Sequence, residues 1–257
     1  MKTFRNLAAL LPALAMVFLL AGCAGETGGK YDTVESGKLH MATNAQFPPY
    51  EMTTDSGGYE GIDVEIATAI AGKLGLELVV DDMDFNAVIT AVQQGISDMA
   101  MAGLTVDPDR EKNVDFTVSY ATGVQVIIVT EDSDIASVDD LDGKLIGVQD
   151  GTTGWMYCSD DYGDDAVVAY ANGSAAVQAL LSGSVDCVVI DNEPAKAYVA
   201  ANAGLKILDT EYVIEDYAIG VSKDNPELRS AINTALEELI ADGTVKGIID
   251  RYIPPEG

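Results

Sequence analysis

One arrangement of strands and helices is written twice in this chain, and that repetition constrains the fold more than any other feature. "AVITAVQQGISDMAMAG" (residues 87–103) is echoed by "AAVQALLSGSVDCVVID" (residues 175–191), aligning Ala91 with Ala179, Gly95 with Gly183 and Asp98 with Asp186. Upstream, "SGKLHMATNAQ" is echoed by "DGKLIGVQDGTTG", aligning Gly37-Lys38-Leu39 with Gly143-Lys144-Leu145. Around each echo, short apolar runs alternate with amphipathic runs of ten or more residues, the signature of βαβ units and a parallel sheet. "KLHMAT", "LELVV" and "DMAMAGL" read as strands; "GIDVEIATAIAGKLG" and "FNAVITAVQQG" read as helices. Two α/β lobes on one plan follow.

The lobes need connections. "FTVSYATGVQVIIVT" is one long extended stretch suited to leaving one lobe and entering the other, and "IEDYAIGV" (residues 214–221) suits the return. A helix starting at Asn225-Pro226 then closes the first lobe. The expected division is residues 34–121 with 219–257 for lobe 1 and residues 122–218 for lobe 2. Two crossings make a hinge, and two hinged lobes make a cleft.

In open α/β sheets ligands sit beyond the carboxyl ends of the strands, so the residues there are the candidates. Lobe 1 offers "TNAQFPPY", whose prolines keep Phe47 on a loop, then Phe85 at a helix start, then Gly103, Thr105 and Arg110 after the third strand. In "LTVDPDR", Asp107 reads as a helix N-cap with Pro108 behind it, which puts Arg110 in a first helical turn where the macrodipole disfavours a cation. Lobe 2 offers "GVQDGTTG", a strand, a glycine turn with hydroxyls and a helix start, an arrangement that binds anions through backbone N–H groups. It is too short for a P-loop and lacks the lysine, so a carboxylate fits better than a nucleotide. "VVIDNEP" puts Asp191 where the echo puts Gly103. Arg110 and the Gly151-Thr152-Thr153 turn gripping a carboxylate, Asp191 holding an ammonium, and Phe47 and Phe85 flanking what projects between them form the polarity pattern of a free α-amino acid. Each part has a plainer role open to it. Arg110 can pair with Asp107, Asp109 or Glu111, the turn can be an ordinary βα connection, Asp191 can be an N-cap, and the phenylalanines can be core residues. Trp155 either covers the cleft or packs within lobe 2, with packing favoured.

Composition narrows the alternatives. The chain holds 42 acidic and 14 basic residues, a formal net charge of −28, which makes nucleic acid and anionic membranes poor partners. Residues 1–22 combine a basic start, an apolar run too short for a comfortable membrane span and "LAG" before Cys23, as an export signal does. Residues 23–33 read as a flexible tether. Cys158 and Cys187 are expected as free, buried thiols, although an exported protein could pair them. The single histidine, His40, lies in a strand-like run and is expected in the core, so His-dependent catalysis has little support; spacing suggests no metal site and no cofactor.

"GYEGIDVEIATAIAGKLG", "DFNAVITAVQQGISDMAMAGLTVDPDREKNVDFTVSY", "GVQDGTTG" and "CVVIDNEPA" together resemble the substrate-binding proteins of ABC importers for polar amino acids. "LAGC" resembles the lipobox of bacterial lipoproteins. The resemblance implies a type II periplasmic-binding-protein-like fold, each lobe a mostly parallel sheet flanked by helices and joined by a two-segment hinge. It implies a monomer outside the cytoplasm, held to the cell membrane by lipid on Cys23, that passes its ligand to a membrane permease without chemistry. It assigns the α-carboxylate to Arg110 and Thr105 with Thr152 and Thr153, the α-amino group to Asp191, ring contacts to Phe47 and Phe85, and a backbone contact to Gly103. Asn44 stands where members that take cationic side chains often carry aspartate. With Gln149 as its companion in specificity, that departure favours a neutral ligand, polar or aromatic; Asp84 and Asp150 lie near enough in sequence to reverse this. "DNEPA" departs from the usual spacing and puts a contact by Asn192 in doubt. Two rivals stay open. Cyclohexadienyl or arogenate dehydratases look similar but need an acid in the cleft, and a receptor module is disfavoured because "RYIPPEG" leads into no spanning or signalling segment.

Overall fold

The computed structural model describes residues 30–209 and 212–255. Cys23, the export signal and most of the tether lie outside the described residues.

Chain order runs β1 (Lys38–Thr43), β2 (Gln46–Phe47), β3 (Glu51–Thr53), β4 (Tyr59–Glu60), α1 (Ile62–Leu74), β5 (Glu77–Asp82), α2 (Phe85–Gln93), β6 (Met99–Ala100) and β7 (Val114–Phe116). The long strand β8 (Ala121–Thr130) leads to β9 (Ile146–Gln149), α3 (Thr153–Tyr162), β10 (Val167–Tyr170), α4 (Gly173–Leu181), β11 (Cys187–Asp191), α5 (Asn192–Ala201) and β12 (Leu205–Ile207). Then follow β13 (Val213–Tyr217), β14 (Gly220–Ser222), α6 (Pro226–Ala241) and α7 (Thr244–Tyr252).

Two sheets result. The first has the order β5-β1-β6-β14-β7 and the second β10-β9-β11-β8-β12, with β13 also on β8. In each, the three strands of the echo are parallel with the first in the middle (β5-β1-β6 and β10-β9-β11), and the next strand inward is an antiparallel crossing strand, β14 or β8. The chain leaves the first sheet between Phe116 and Ala121 and returns between Tyr217 and Gly220. β2, β3 and β4 form a small separate sheet.

The sequence echo has a physical content. Helices α2 and α4 both end by placing a glycine in left-handed backbone, Gly95 at φ 65° and Gly183 at φ 72°. Both close the same ring: the Ile96 N–H donates to the Ala91 carbonyl at 2.9 Å and the Ser184 N–H to the Ala179 carbonyl at 2.8 Å, the 6→1 bond of a Schellman motif. Asp98 then accepts the His40 N–H at 2.7 Å, and Asp186 accepts the Leu145 N–H at 2.7 Å. Each aspartate pins the first strand of its unit to the approach to the third. His40 itself is half-buried in β1 with Nδ1 3.1 Å from Asp81.

Side-chain alternation explains why both sheet faces are covered. Leu39 and Met41 of β1 and Met99 of β6 pack with Ile66 and Ile70 of α1 and Ile232 and Leu236 of α6, while Ala42 and Ala100 face Val88 and Val92 of α2. Helix α6 starts as its sequence signals: the Asn225 side chain accepts the Leu228 N–H at 3.1 Å, with Pro226 in the first turn. In the second sheet, Cys158 and Cys187 are free, buried in one cluster with Ile127, Val129, Ile146 and Val148, and burial pushes both thiols up to about 12.

Candidate functional site

The carboxyl ends of β1 and β6 in the first lobe meet those of β9 and β11 in the second around one cavity. Asn44, Phe47, Phe85, Gly103, Thr105 and Arg110 line it from the first lobe; Gln149, Thr152, Thr153 and Asp191 line it from the second. These are the ten side chains and backbone positions singled out above, and Ala102 joins them. Asp84 is exposed and Asp150 half-buried, and neither lines the cavity. Asn192 opens α5 outside it.

Arg110 arrives differently from the expectation. No α-helix follows Asp107; residues Arg110–Lys112 form a single 3₁₀ turn before β7. Asp107 still caps, its Oδ1 accepting the N–H groups of Asp109 at 2.8 Å and Arg110 at 3.2 Å. The capping signal is genuine, but β7 begins only two residues after the turn, too soon for a helix to propagate. The macrodipole argument therefore falls away. Asp109 pairs with Lys112, so Arg110 is left to the cavity, 7% exposed. Its Nη1 donates to the Thr105 carbonyl at 3.0 Å and its Nη2 to the Gly151 carbonyl of the other lobe at 3.2 Å. The guanidinium carbon lies 5.4 Å from the centre of the Phe85 ring. Burial lowers the pKa of Arg110, opposed by the charges of Glu215 and Asp107.

Across the cavity, β9 runs into α3 through the glycine turn. The Thr152 hydroxyl is occupied: it donates to the Gln149 carbonyl at 2.8 Å and accepts the Trp155 N–H at 3.2 Å as the N-cap of α3. Thr152 thus shapes the turn, and what the turn can offer a ligand is the first N–H groups of α3, which no helix satisfies internally. Trp155 is 36% exposed and lies neither in the cavity nor in the lobe 2 core. The packing expectation fails: Trp155 is exposed beside the buried Cys158 and joins none of the core clusters.

Asp191 is the last residue of β11 and 7% exposed. It stands at the N-cap position of α5 but makes no capping bond. Instead it accepts the Tyr217 hydroxyl on one oxygen and Gln125 Nε2 at 2.8 Å on the other. Burial, and then the charge of Glu215, push Asp191 up to about 7. Gln149 Nε2 donates to Asn44 Oδ1 at 3.1 Å across the lobes, and Asn44 Nδ2 donates to the Met83 carbonyl at 2.8 Å. Gln149 Oε1 is buried without a partner among the described residues. Two primary amides from opposite lobes thus line the same cavity as the rings of Phe47 and Phe85, with Gln149 Oε1 the acceptor left unpaired.

Behind the lining are residues that sequence reasoning missed. Asp63 and Glu51 are both 0% exposed. Asp63 Oδ2 accepts the Gly103 N–H and the Tyr120 hydroxyl, each at 2.8 Å. Burial, and then the charge of Asp63, raise Glu51 well above the usual range, and burial pushes Asp63 up to about 6. Gln125, Tyr217 and Glu215 support Asp191 from β8 and β13. A glutamine inside the apolar run "VQVIIV" was the one signal that could have found part of this group.

The two lobes are closed on each other. Besides the bonds of Arg110 and Gln149, Asn86 Nδ2 donates to Asp150 Oδ2 at 2.8 Å, Asn172 Nδ2 to Gln46 Oε1 at 2.7 Å, and the Tyr198 hydroxyl to the Gln46 carbonyl at 2.9 Å.

Among the described residues no group of His, Cys, Asp and Glu could hold a metal, and no helix is long and apolar enough to cross a membrane. Comparison with known proteins agrees with this architecture. Residues 39–255 match the bacterial extracellular solute-binding proteins, family 3. The arginine-binding extracellular protein ArtP of Bacillus subtilis (strain 168) is 33% identical, the match covering 96% of this chain and 97% of that one. An ancestral arginine-binding protein solved with arginine superposes with a TM-score of 0.80 at 42% identity, covering 84% of this chain and 98% of its own. The same description solved with glutamine gives 0.81 at 40% identity, covering 86% and 100%. With its two hinged α/β lobes of the type II periplasmic-binding-protein fold, the chain belongs to the bacterial extracellular solute-binding proteins, family 3.

Proposed function

We propose that this protein captures a free L-α-amino acid outside the cytoplasm, arginine foremost, and delivers it to the permease of an ABC importer. The observation that carries the reading is the pairing of opposite charges from opposite lobes in one closed cavity: Arg110 for the α-carboxylate, Asp191 for the α-ammonium. Thr105, Gly103 and the start of α3 complete the carboxylate end, and Phe47, Phe85, Asn44 and Gln149 take the side chain. Binding to one lobe followed by closure of the other gives the permease a form that differs between loaded and empty protein. Cys23 carries the lipid that holds the chain at the membrane.

Asn44 alone argued for a neutral ligand. Three considerations move the preference to arginine. The cavity faces one cation, Arg110, against Asp191 and the nearby Glu215, in a chain of net charge −28, so the field favours a cationic ligand. A guanidinium is delocalised and weakly hydrated, and ring faces with amide oxygens suit it far better than they suit an ammonium. Relatives named for arginine supply the third. The Asn44–Gln149 amide pair also suits a carboxamide, which keeps glutamine as the second reading, in line with the ancestral protein solved with it.

The test is a thermal-shift screen of refolded, ligand-free protein against the common amino acids, followed by calorimetry. Arginine is expected to give the largest shift and glutamine the next; a ligand at 100 times its Kd adds about 2.7 kcal/mol. Lysine ahead of both would refute the side-chain assignment. No response to any amino acid, or product formation from prephenate or arogenate, would refute the reading as a whole.

A further inference from the structure

Asp191 is held by two strands that cross between the lobes. Gln125 lies on β8, 1% exposed, and Glu215 on β13, 4% exposed. Gln125 Nε2 stands 2.8 Å from Asp191 Oδ2 and 2.9 Å from Glu215 Oε2. The orientation of that amide follows from its partners, because turning it over would set an oxygen against two acceptors. Tyr217, two residues along β13 from Glu215 and on the same face, donates to the other oxygen of Asp191. Gly123, two residues before Gln125, makes the room: a Cβ there would overlap both the Tyr217 hydroxyl and Asp191 Oδ1.

Two features of this group have no role in packing. Glu215 is a second buried carboxylate beside Asp191 with no cation in ion-pair contact, although its charge acts on Arg110 from beyond that distance, and its Oε1 is without a partner among the described residues. Burying a second acid beside the first carries a desolvation cost that a ligand cation would offset. Each Asp191 oxygen, in turn, accepts one hydrogen bond and keeps a further acceptor site. The lock therefore fixes the carboxylate without filling it.

We propose that Gln125 is a positioning residue for α-amino recognition: by bridging Asp191 and Glu215 it holds the Asp191 carboxylate ready for the ligand's ammonium, and Glu215 serves as the second acid of that ammonium site. This rests on the reading that Asp191 receives the α-amino group. Because Gln125 and Tyr217 belong to the crossing strands, the ammonium acceptor is tied to the hinge rather than to lobe 2 alone.

The experiment is calorimetry on the whole exported protein with arginine and with 5-guanidinopentanoate, which is arginine without its α-amino group. Wild type is expected to prefer arginine strongly. Gln125→Leu should weaken arginine by about ten-fold or more while leaving 5-guanidinopentanoate within about two-fold, so that the preference shrinks. Glu215→Gln, nearly isosteric, should shrink it by several-fold and serves alone if the first variant does not fold. Equal losses for both ligands, as a packing role would give, overturn the inference, and so does an unchanged preference in either folded variant. A wild type that binds the two ligands alike overturns the assignment of Asp191 itself, and this inference with it.

Discussion

The two halves of the cavity are built on one chassis and finished differently. Each lobe has the same three parallel strands in the same order, the same glycine-terminated helix and the same aspartate pin, Asp98 or Asp186. At the tip of the third strand the lobes part: Gly103 in one, Asp191 in the other. Lobe 1 leaves backbone exposed at that point, backs it with Asp63, and brings its cation from the following loop as Arg110. Lobe 2 sets its charge on the strand itself and takes its anion-binding groups from a helix start. The duplicated framework fixes where the cavity lies, and unlike strand ends give its two walls groups of opposite charge.

That contrast can be broken one half at a time. The largest effect should follow Arg110→Ala, which removes the lobe 1 charge. A ligand carboxylate left buried opposite nothing should cost roughly 2–5 kcal/mol in binding, read by calorimetry with arginine. An unchanged affinity would mean that the lobe 1 half is not polar in the way described.

Acid should strip the lobe 2 half more gently. Asp191 is raised to about 7 by burial and by Glu215, and an ammonium binds its ionised form. In the empty protein, lowering the pH from 8 to 6 converts most of Asp191 to the acid, so arginine affinity should fall about ten-fold and level off above pH 8. Asp191→Asn should bind more weakly at pH 8 and lose the slope between pH 8 and 7. A wild-type profile flat over the whole range would contradict the assignment.

The smallest effect belongs to an uncharged contact at the rim. Asn172 bonds Gln46 at an exposed position, and Asn172→Ala should change affinity by no more than about five-fold, in keeping with an exposed neutral hydrogen bond of ~1 kcal/mol. Asn172 also caps α4 through the Ala175 N–H, so its melting temperature should drop measurably even where binding holds.

How much of this was legible beforehand depended on range. The strands and helices of the echo could be read because period and terminators are local, and Gly95 and Gly183 do the same work in both units. Eight of the lining positions could be read because they sit at or just past strand ends, where turn residues advertise themselves; Asn44 and Gln149 came from the family resemblance, and Ala102 was missed. Arg110 was placed in the cavity for a partly wrong reason, since a correct cap does not guarantee a helix. Gln125, Glu215 and Tyr217 sit within strands and meet Asp191 only through the antiparallel register of β8 with β11 and β13. Glu51 and Asp63 carry no local signal that sets them apart from the other acids of a very acidic chain. Their burial as a pair depends on a fold-wide juxtaposition that no local pattern encodes. Trp155 failed for a related reason: in the run Trp155-Met156-Tyr157-Cys158 the apolar residues span several faces of the helix, and the pattern does not say which one meets the sheet.

Gly103 has φ +53°, and a Cβ at this position would come within 2.8 Å of the Phe47 ring. A missing methyl group is therefore a gauge of the gap. Alanine there would have to displace the ring, so the position of one cavity wall is set by an atom the chain does without.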